Sequence, residues 1–156
     1  MNILVLGGGG REHSICWAVK KSQNCKSLYC VPGNAGISEI AKCENIDLNK
    51  KINLLNFCIE KKIKLVIIGP EQYLENGISD YLRSKNIPVF GPSKKASRLE
   101  SSKSFAKKFL VNNKINTAEY QEFESYESAK KYISSIKYPI VIKADGLASG
   151  KGVLIC

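Results

Sequence analysis

Glycine-rich loops with basic side chains occur at two places in this chain of 156 residues. The first, GGGGREH at residues 7–13, follows the apolar run NILVL at residues 2–6. Four consecutive glycines leave bare backbone N–H groups at the start of a predicted helix, where an anion is favoured. Arg11 adds positive charge beside them. The loop predicts a site for a phosphate or another small ligand, although a tight strand-to-helix turn would explain one or two of the glycines.

The first loop does not match the dinucleotide-binding fingerprint G-x-G-x-x-G. Read from Gly7, the pattern requires glycine where Glu12 stands, and read from Gly8 it requires glycine at His13. The acidic residue that would bind a ribose hydroxyl is also missing, because the strand-like run SLYCV leads into a proline and a glycine. These departures argue against a nicotinamide or flavin dehydrogenase.

The second loop, KADGLASGKG at residues 143–152, resembles a Walker A motif only superficially. Gly146 and Gly150 stand one residue too close together for G-x-x-x-x-G-K, and Gly152 replaces the serine or threonine that holds magnesium. The loop lies between two apolar runs, PIVIK and GVLIC. This order, a strand ending in lysine, a glycine-rich hairpin and a second strand, is typical of another class of nucleotide site.

Strand-like and helix-like segments alternate along the chain. Ile52, Leu55 and Ile59 recur at helical spacing, whereas LVIIG at residues 65–69 is continuously apolar, as in a strand covered on both faces. The alternation predicts an α/β fold with a parallel sheet. The predicted strands are 2–6, 27–31, 45–48, 65–69, 88–92, 117–123, 139–143 and 152–156, and the predicted helices are 11–22, 50–62, 74–85, 93–113 with a bend near 101–102, and 127–136.

Polar residues also follow the second and fourth predicted strands. Asn34 lies in PGNAG, and Glu71 ends the turn GPE. Because the carboxyl ends of parallel strands meet at one edge of a sheet, we expect both side chains to face the first glycine loop. A carboxylate held there suits the binding of an amine or hydroxyl, and capping of the next helix is the alternative role for Glu71.

Composition restricts the class of partner. The net charge is +10, and residues 91–114 carry seven basic and one acidic side chains. A nucleic-acid surface is disfavoured because lysines outnumber arginines 21 to 3 and aromatic residues do not interleave with them. Lys107 and Lys108 are expected to be solvated helix charges.

Cysteine usage and hydropathy indicate the compartment. The six cysteines include no C-x-x-C pair and there is one histidine, so neither a zinc site nor a disulfide framework is indicated. No run approaches the roughly 18 apolar residues of a membrane span. We expect a soluble cytoplasmic protein with free thiols, no membrane or nucleic-acid partner, and no metal ligands of its own.

Seven motifs, in order and with matching gaps, resemble the phosphoribosylamine–glycine ligase family of the ATP-grasp superfamily. They are GGREH (9–13), PGNAG (32–36), IIGPE (67–71), FGPS (90–93), SK-F-K (102–107), TAEY (117–120) and IVIKADGLASGKGV (140–153). Ser101 stands where the family usually has glycine, and the residues after GPE differ, which affects the rim of the substrate pocket. Family members are much longer than this chain.

The resemblance implies a Rossmann-like domain at residues 1–100 and the beginning of an ATP-grasp domain at residues 101–156. It implies ATP-dependent ligation of glycine to 5-phosphoribosylamine through a glycyl phosphate, which yields glycinamide ribonucleotide for purine biosynthesis. Another ATP-grasp enzyme, such as a carboxylase, and a noncatalytic phosphate- or partner-binding module remain as alternatives.

Site residues follow from the resemblance at matching positions. Lys143 is the expected catalytic residue. The expected ATP-phosphate ligands are Lys103, Lys143, Gly146, Gly150 and Lys151, although Lys151 could be only a loop charge. The expected substrate-binding residues are Gly9, Gly10, Arg11, Asn34 and Glu71. The family's Mg²⁺ or Mn²⁺ ligands, a glutamate and an asparagine, would lie beyond Cys156. We therefore expect an amino-terminal fragment that needs the missing carboxyl-terminal part for catalysis.

Overall fold

The computed structural model describes residues 1–148 and 150–156. Ser149, inside the second glycine loop, lies outside the described residues. The chain divides into two compact units, Met1–Ser97 and Arg98–Cys156.

The first unit contains a five-stranded parallel sheet in the order β3-β2-β1-β4-β5. Its strands are β1 Asn2–Gly7, β2 Ser27–Pro32, β3 Lys42–Cys43, β4 Ile63–Ile68 and β5 Val89–Phe90. Strand β1 is central, and its Val5 is in register with Cys30 on one side and Ile67 on the other. The predicted parallel α/β fold is confirmed.

Helices cover both faces of this sheet. They are α1 Gly10–Lys20, α2 Ala35–Ser38, α3 Lys51–Glu60, α4 Glu71–Glu75 and α5 Ile78–Ser84. A further helix, α6 Lys94–Ser101, contains the division between the units. Because side chains alternate along a strand, Leu4 and Leu6 pack on the face covered by Leu54 of α3, while Val5 packs on the opposite face with Cys16 of α1. Burying each large apolar side chain stabilises the fold by about 1.5–3 kcal/mol.

Two predicted elements of the first unit differ from the structure. The helix predicted at 74–85 is two helices, separated by Gly77 with φ of 71°, a left-handed conformation that favours glycine. The strand predicted at 45–48 is wrong, since pairing with β2 involves Lys42–Cys43 instead. Ile46 and Leu48 nevertheless pack against the core, which explains their apolar pattern.

The second unit contains α7 Lys103–Asn112, α8 Tyr126–Ile133 and the antiparallel strands β6 Val141–Lys143 and β7 Val153–Ile155. The predicted bend near 101–102 is confirmed, because Ser102 is extended and its hydroxyl accepts a hydrogen bond from the N–H of Phe105 at 3.2 Å. The strand predicted at 117–123 is wrong, and Phe123 instead packs on Tyr132 with ring centroids 5.2 Å apart. Across the described part of the chain, no helix has the length and apolar character to cross a membrane.

Candidate functional site

Three loops are joined at the carboxyl edge of the sheet in the first unit. They follow β2, β1 and β4, which are neighbours in the sheet. The N–H of Gly33 donates to the carbonyl of Gly7 at 3.1 Å, and the N–H of Gly69 donates to the carbonyl of Leu6 at 3.2 Å. Backbone hydrogen bonds therefore hold the flanking loops against the first glycine loop.

Asn34 connects two of these loops through its side chain. Its Nδ2 donates to the carbonyl of Gly8 at 2.8 Å, and its Oδ1 accepts from the N–H of Ile37 at 2.9 Å. Asn34 thereby caps the amino end of α2 and lies against the first glycine loop, where the sequence predicted it.

Arg11 and Glu71 form a two-point ion pair across the same edge. Nη1 of Arg11 donates to Oε1 of Glu71 at 2.6 Å, and Nη2 donates to Oε2 at 3.3 Å. The hydrogen bond with Arg11 lowers the pKa of Glu71, and in return the hydrogen bond with Glu71 is the largest cause that raises the pKa of Arg11. Pro70 is the N-cap residue of α4, and the glycine-loop arginine is the main partner of the Glu71 carboxylate, ahead of the backbone at the start of the helix.

Glu12 is a site residue that the sequence prediction missed. The residue is only 3% exposed, and its Oε2 accepts the N–H of Gly9 at 2.7 Å while its Oε1 accepts Nε of Arg11 at 3.0 Å. Gly9 is the N-cap of α1 and Glu12 stands three positions later, the arrangement in which a glutamate reaches back to the cap. That spacing was the available sequence signal. Gly10, by contrast, borders open space and begins the helix.

In the second unit, Asp145 lies at the amino end of α7. Its Oδ1 accepts the N–H groups of Lys103 at 2.6 Å and Ser104 at 3.2 Å, and its Oδ2 accepts the Ser104 hydroxyl at 2.7 Å. The hydrogen bond from the Ser104 side chain is the largest of the effects that lower the pKa of Asp145. A carboxylate at this position stabilises the free N–H groups of the first helical turn. The sequence prediction missed Asp145 as well.

The expected phosphate ligands lie on α7 and around the β6–β7 pair. Nζ of Lys103 donates to the carbonyl of Gly146 at 2.8 Å. Lys143 is exposed and pairs with Val153 at the end of β6. Gly146 and Gly150 have φ of 85° and 77°, so the left-handed conformation accounts for glycine at both positions.

Other lysines of this unit take structural partners. Lys151 is exposed, and its N–H donates to the carbonyl of Ala148 at 2.8 Å. Lys108 is an exposed helix charge, as expected, whereas Lys107 is half-buried and differs from that expectation. Nζ of Lys107 donates to the Thr117 hydroxyl at 2.7 Å, and Nζ of Lys108 pairs with Glu122 at 2.6 Å. These contacts hold the segment after α7 against the helix.

The chemical character of the two units differs. The edge of the first unit combines a guanidinium, a carboxylate and glycine N–H groups, which suits a small ligand bearing both an anionic and an amine or hydroxyl group. The second unit carries lysines beside a glycine-rich strand connection, which suits the phosphates of a nucleotide. Among residues 1–148 and 150–156 no group of three or more His, Cys, Asp or Glu side chains could hold a metal ion.

The two family models that match this chain and a similar known protein are described as the same enzyme. The family model for the N domain of phosphoribosylglycinamide synthetase matches residues 1–100, and the model for its ATP-grasp (A) domain matches residues 101–156. A phosphoribosylamine–glycine ligase of Clostridium acetobutylicum is 45% identical over 156 residues, covering 100% of this chain and 38% of the relative. This chain therefore spans well under half the length of that relative.

Solved structures agree with the fold. The phosphoribosylamine–glycine ligase of Thermotoga maritima is 35% identical, with a TM-score of 0.77 over 99% of this chain and 36% of that protein. The biotin carboxylase domain of Hydrogenobacter thermophilus 2-oxoglutarate carboxylase, solved with MgADP, is 20% identical and has a TM-score of 0.77 over 99% of this chain and 37% of that domain's chain, which is a likeness of fold alone. Because the N-domain match alone covers more than half of its residues, the chain belongs to the phosphoribosylglycinamide synthetase family.

Proposed function

We propose that this chain forms the amino-terminal part of an enzyme that joins glycine to 5-phosphoribosylamine with ATP, yielding glycinamide ribonucleotide, ADP and phosphate. The observation that carries the proposal is the 45% identity to a phosphoribosylamine–glycine ligase along all 156 residues. Both family models, which together extend from residue 1 to residue 156, support it. The proposed cellular location of the enzyme is the cytoplasm, in keeping with the six free cysteines of the chain.

The first unit is the proposed binding site for 5-phosphoribosylamine. Arg11, with the N–H group of Gly10, would attract the phosphate, and Glu71 would bind the amine or a ribose hydroxyl. Gly9, whose N–H donates to Glu12, would border the phosphate without donating to it. Asn34 would hold the neighbouring loop in place through its bond to the Gly8 carbonyl. The 2.6 Å contact between Arg11 and Glu71 supports this assignment, because it brings a cation and a carboxylate together at one sheet edge.

The second unit is the proposed site for ATP phosphates. ATP, when bound, supplies the phosphoryl group that makes the carboxylate of glycine reactive. Lys143 would act as the catalytic residue by stabilising negative charge on the transferred group, and Lys103 and Lys151 would add positive charge, with Gly146 and Gly150 in the closing hairpin. No residue of this chain is assigned to Mg²⁺ or Mn²⁺, because its described residues offer no suitable cluster.

The decisive experiment is a chimera in which residues 1–156 replace the matching segment of the Clostridium acetobutylicum relative. We expect formation of glycinamide ribonucleotide that depends on both ATP and glycine. The 156-residue chain alone and the relative's remaining segment alone serve as controls, and neither should make product. A folded chimera without activity above these controls would contradict the proposal.

A further inference from the structure

Glu12 is a buried carboxylate that the proposed reaction does not use. It is one of only four buried polar or charged residues in the described chain, with Ser79, Ser97 and Ser101, and it is the only one of the four with a carboxyl group. A buried charge is unfavourable unless it is paired and hydrogen-bonded. Both oxygens of Glu12 meet that condition, through the N–H of Gly9 and Nε of Arg11.

The glycines around Glu12 are explained by its side chain. A Cβ placed on Gly69 would overlap the Glu12 carboxylate, and one on Gly7 would overlap its Cγ. A Cβ on Gly9 would lie 3.0 Å from Oε2 of the same residue. At these positions, absence of a side chain makes room for Glu12, so part of the glycine pattern reflects an internal carboxylate and not direct ligand contact.

The contacts of Arg11 show what this carboxylate does. The guanidinium has five N–H donors, of which its contacts with Glu12 and Glu71 use three. Glu12 holds the Nε edge, and this fixes the plane in which Nη1 and Nη2 lie. The remaining donors, one on each terminal nitrogen, lie at opposite edges of the guanidinium. With the plane fixed, each can donate in a defined direction to one oxygen of an oxyanion.

We propose that Glu12 is a positioning residue that orients Arg11 for a phosphate-bearing substrate, an inference that rests on the proposed function. A carboxylate is required because both of its partners are donors. In glutamine, the amide nitrogen would face either the Gly9 N–H or the Nε–H of Arg11, which leaves two donors in contact. Substitution by glutamine therefore preserves the size of the side chain while releasing one of the two partners.

The orientation of Arg11 can be observed directly because the chain has only three arginines, Arg11, Arg83 and Arg98. Within the described residues, Arg11 is the arginine whose Nε donates a hydrogen bond. We expect its Nε–Hε NMR signal, assigned with Arg11→Lys, to exchange with water at least about tenfold more slowly than those of Arg83 and Arg98. Fast exchange of the Arg11 signal in the unsubstituted chain would overturn the proposal without any variant.

Glu12→Gln then tests whether Glu12 causes the slow exchange of the Arg11 Nε–Hε signal. We expect the protection of the Arg11 signal to be lost while the Arg83 and Arg98 signals stay in place, with Glu39→Gln, an exposed position of the same unit, as the matched control. Glu12→Asp retains the charge and should retain part of the protection. A folded Glu12→Gln protein with an unchanged Arg11 signal would show that Glu12 does not position this arginine.

Ribose 5-phosphate, a stable probe for the phosphate-bearing substrate, provides the second measurement. In the full chain we expect Glu12→Gln to weaken its binding about tenfold or more, as for loss of a charge-assisted contact, and Glu39→Gln to leave it unchanged. Equal affinities in a folded Glu12→Gln protein would overturn the substrate role of Glu12. If the unsubstituted chain does not bind ribose 5-phosphate, the proposed placement of the substrate site in the first unit is contradicted. The chimera still tests the proposed function, and the Arg11 signal still decides whether Glu12 positions that arginine.

Discussion

Oδ1 of Asp145 accepts a hydrogen bond from the N–H of Lys103 at 2.6 Å, although the two residues are 42 positions apart. Asp145 follows Lys143 by two residues, and Lys103 is the first residue of α7. One carboxylate therefore connects the end of β6 to the amino end of the helix. It holds near each other the backbone segments that carry two of the lysines proposed for ATP phosphates.

Replacement of Asp145 should loosen the amino end of α7. We expect Asp145→Asn to reduce the free energy of local opening at Lys103 and Ser104 by about 1 kcal/mol, a usual value for losing a helix cap, measured by amide hydrogen exchange. Glu124→Gln, at an exposed position of the same unit, is the matched control. Unchanged exchange at both amides would show that the charge of Asp145 contributes nothing there.

The same contact predicts that the stability of the amino end of α7 depends on pH. The pKa of Asp145 is lowered in the folded protein, chiefly by the Ser104 side chain, so its ionised form is favoured by folding. The contribution to stability is therefore present above the unfolded pKa of about 3.9 and is lost as pH falls below that value. We expect protection of the Lys103 amide, corrected for intrinsic exchange, to fall on acidification, and this fall should be absent in Asp145→Asn.

A double-mutant cycle should reveal the steric relation between Gly69 and Glu12. Gly69→Ala should destabilise the first unit by about 1–3 kcal/mol because the added methyl group overlaps the Glu12 carboxylate. In a Glu12→Ala background the same change should cost at least about 1 kcal/mol less. Urea unfolding followed by the fluorescence of Trp17, the only tryptophan, measures both. Gly10→Ala, which adds a methyl group in open space, should change the free energy of unfolding by no more than about 0.5 kcal/mol. If the effects of Gly69→Ala and Glu12→Ala were additive, the overlap between the two residues would be refuted.

Lys143→Ala tests the proposed catalytic residue in the active chimera. Loss of a preorganised charge that stabilises the transferred group should lower kcat by on the order of 10²-fold. Steady-state assays at saturating ATP and glycine provide the measurement, with Lys137→Ala, another exposed lysine of the second unit, as the control. A kcat within about threefold of the unsubstituted chimera would remove Lys143 from the proposed mechanism.

Glu71→Gln tests the proposed substrate site in the same chimera. Removing the charge should raise the KM for 5-phosphoribosylamine by about tenfold, as for loss of a charge-assisted hydrogen bond, and leave the KM for ATP unchanged. Glu75→Gln, an exposed residue of the same helix, is the control. A changed KM for ATP in Glu71→Gln would argue against placing Glu71 at the substrate.

The sequence predicted an element correctly where the segment itself carried a long apolar run. The apolar runs at 2–6, 27–31 and 65–69 correspond to β1, β2 and β4, because each is long enough to form a buried strand. Strand β3 has only two residues at the sheet edge and depends on pairing with β2, so its position could not be found from local composition. The predicted strand at 117–123 failed because its apolar residues pack on neighbouring segments without strand pairing.

The sequence by itself determined the α/β alternation, the two glycine-rich loops and the family, since these depend on residue types and their order along the chain. Only the tertiary structure decided which charges meet. Arg11 pairs with Glu71 from 60 positions away, and Asp145 reaches Lys103 from 42. Such pairs depend on the order of strands in the sheet and on the directions of hydrogen bonds. Those relations arise only when distant segments pack together, so neither periodicity nor spacing encodes them.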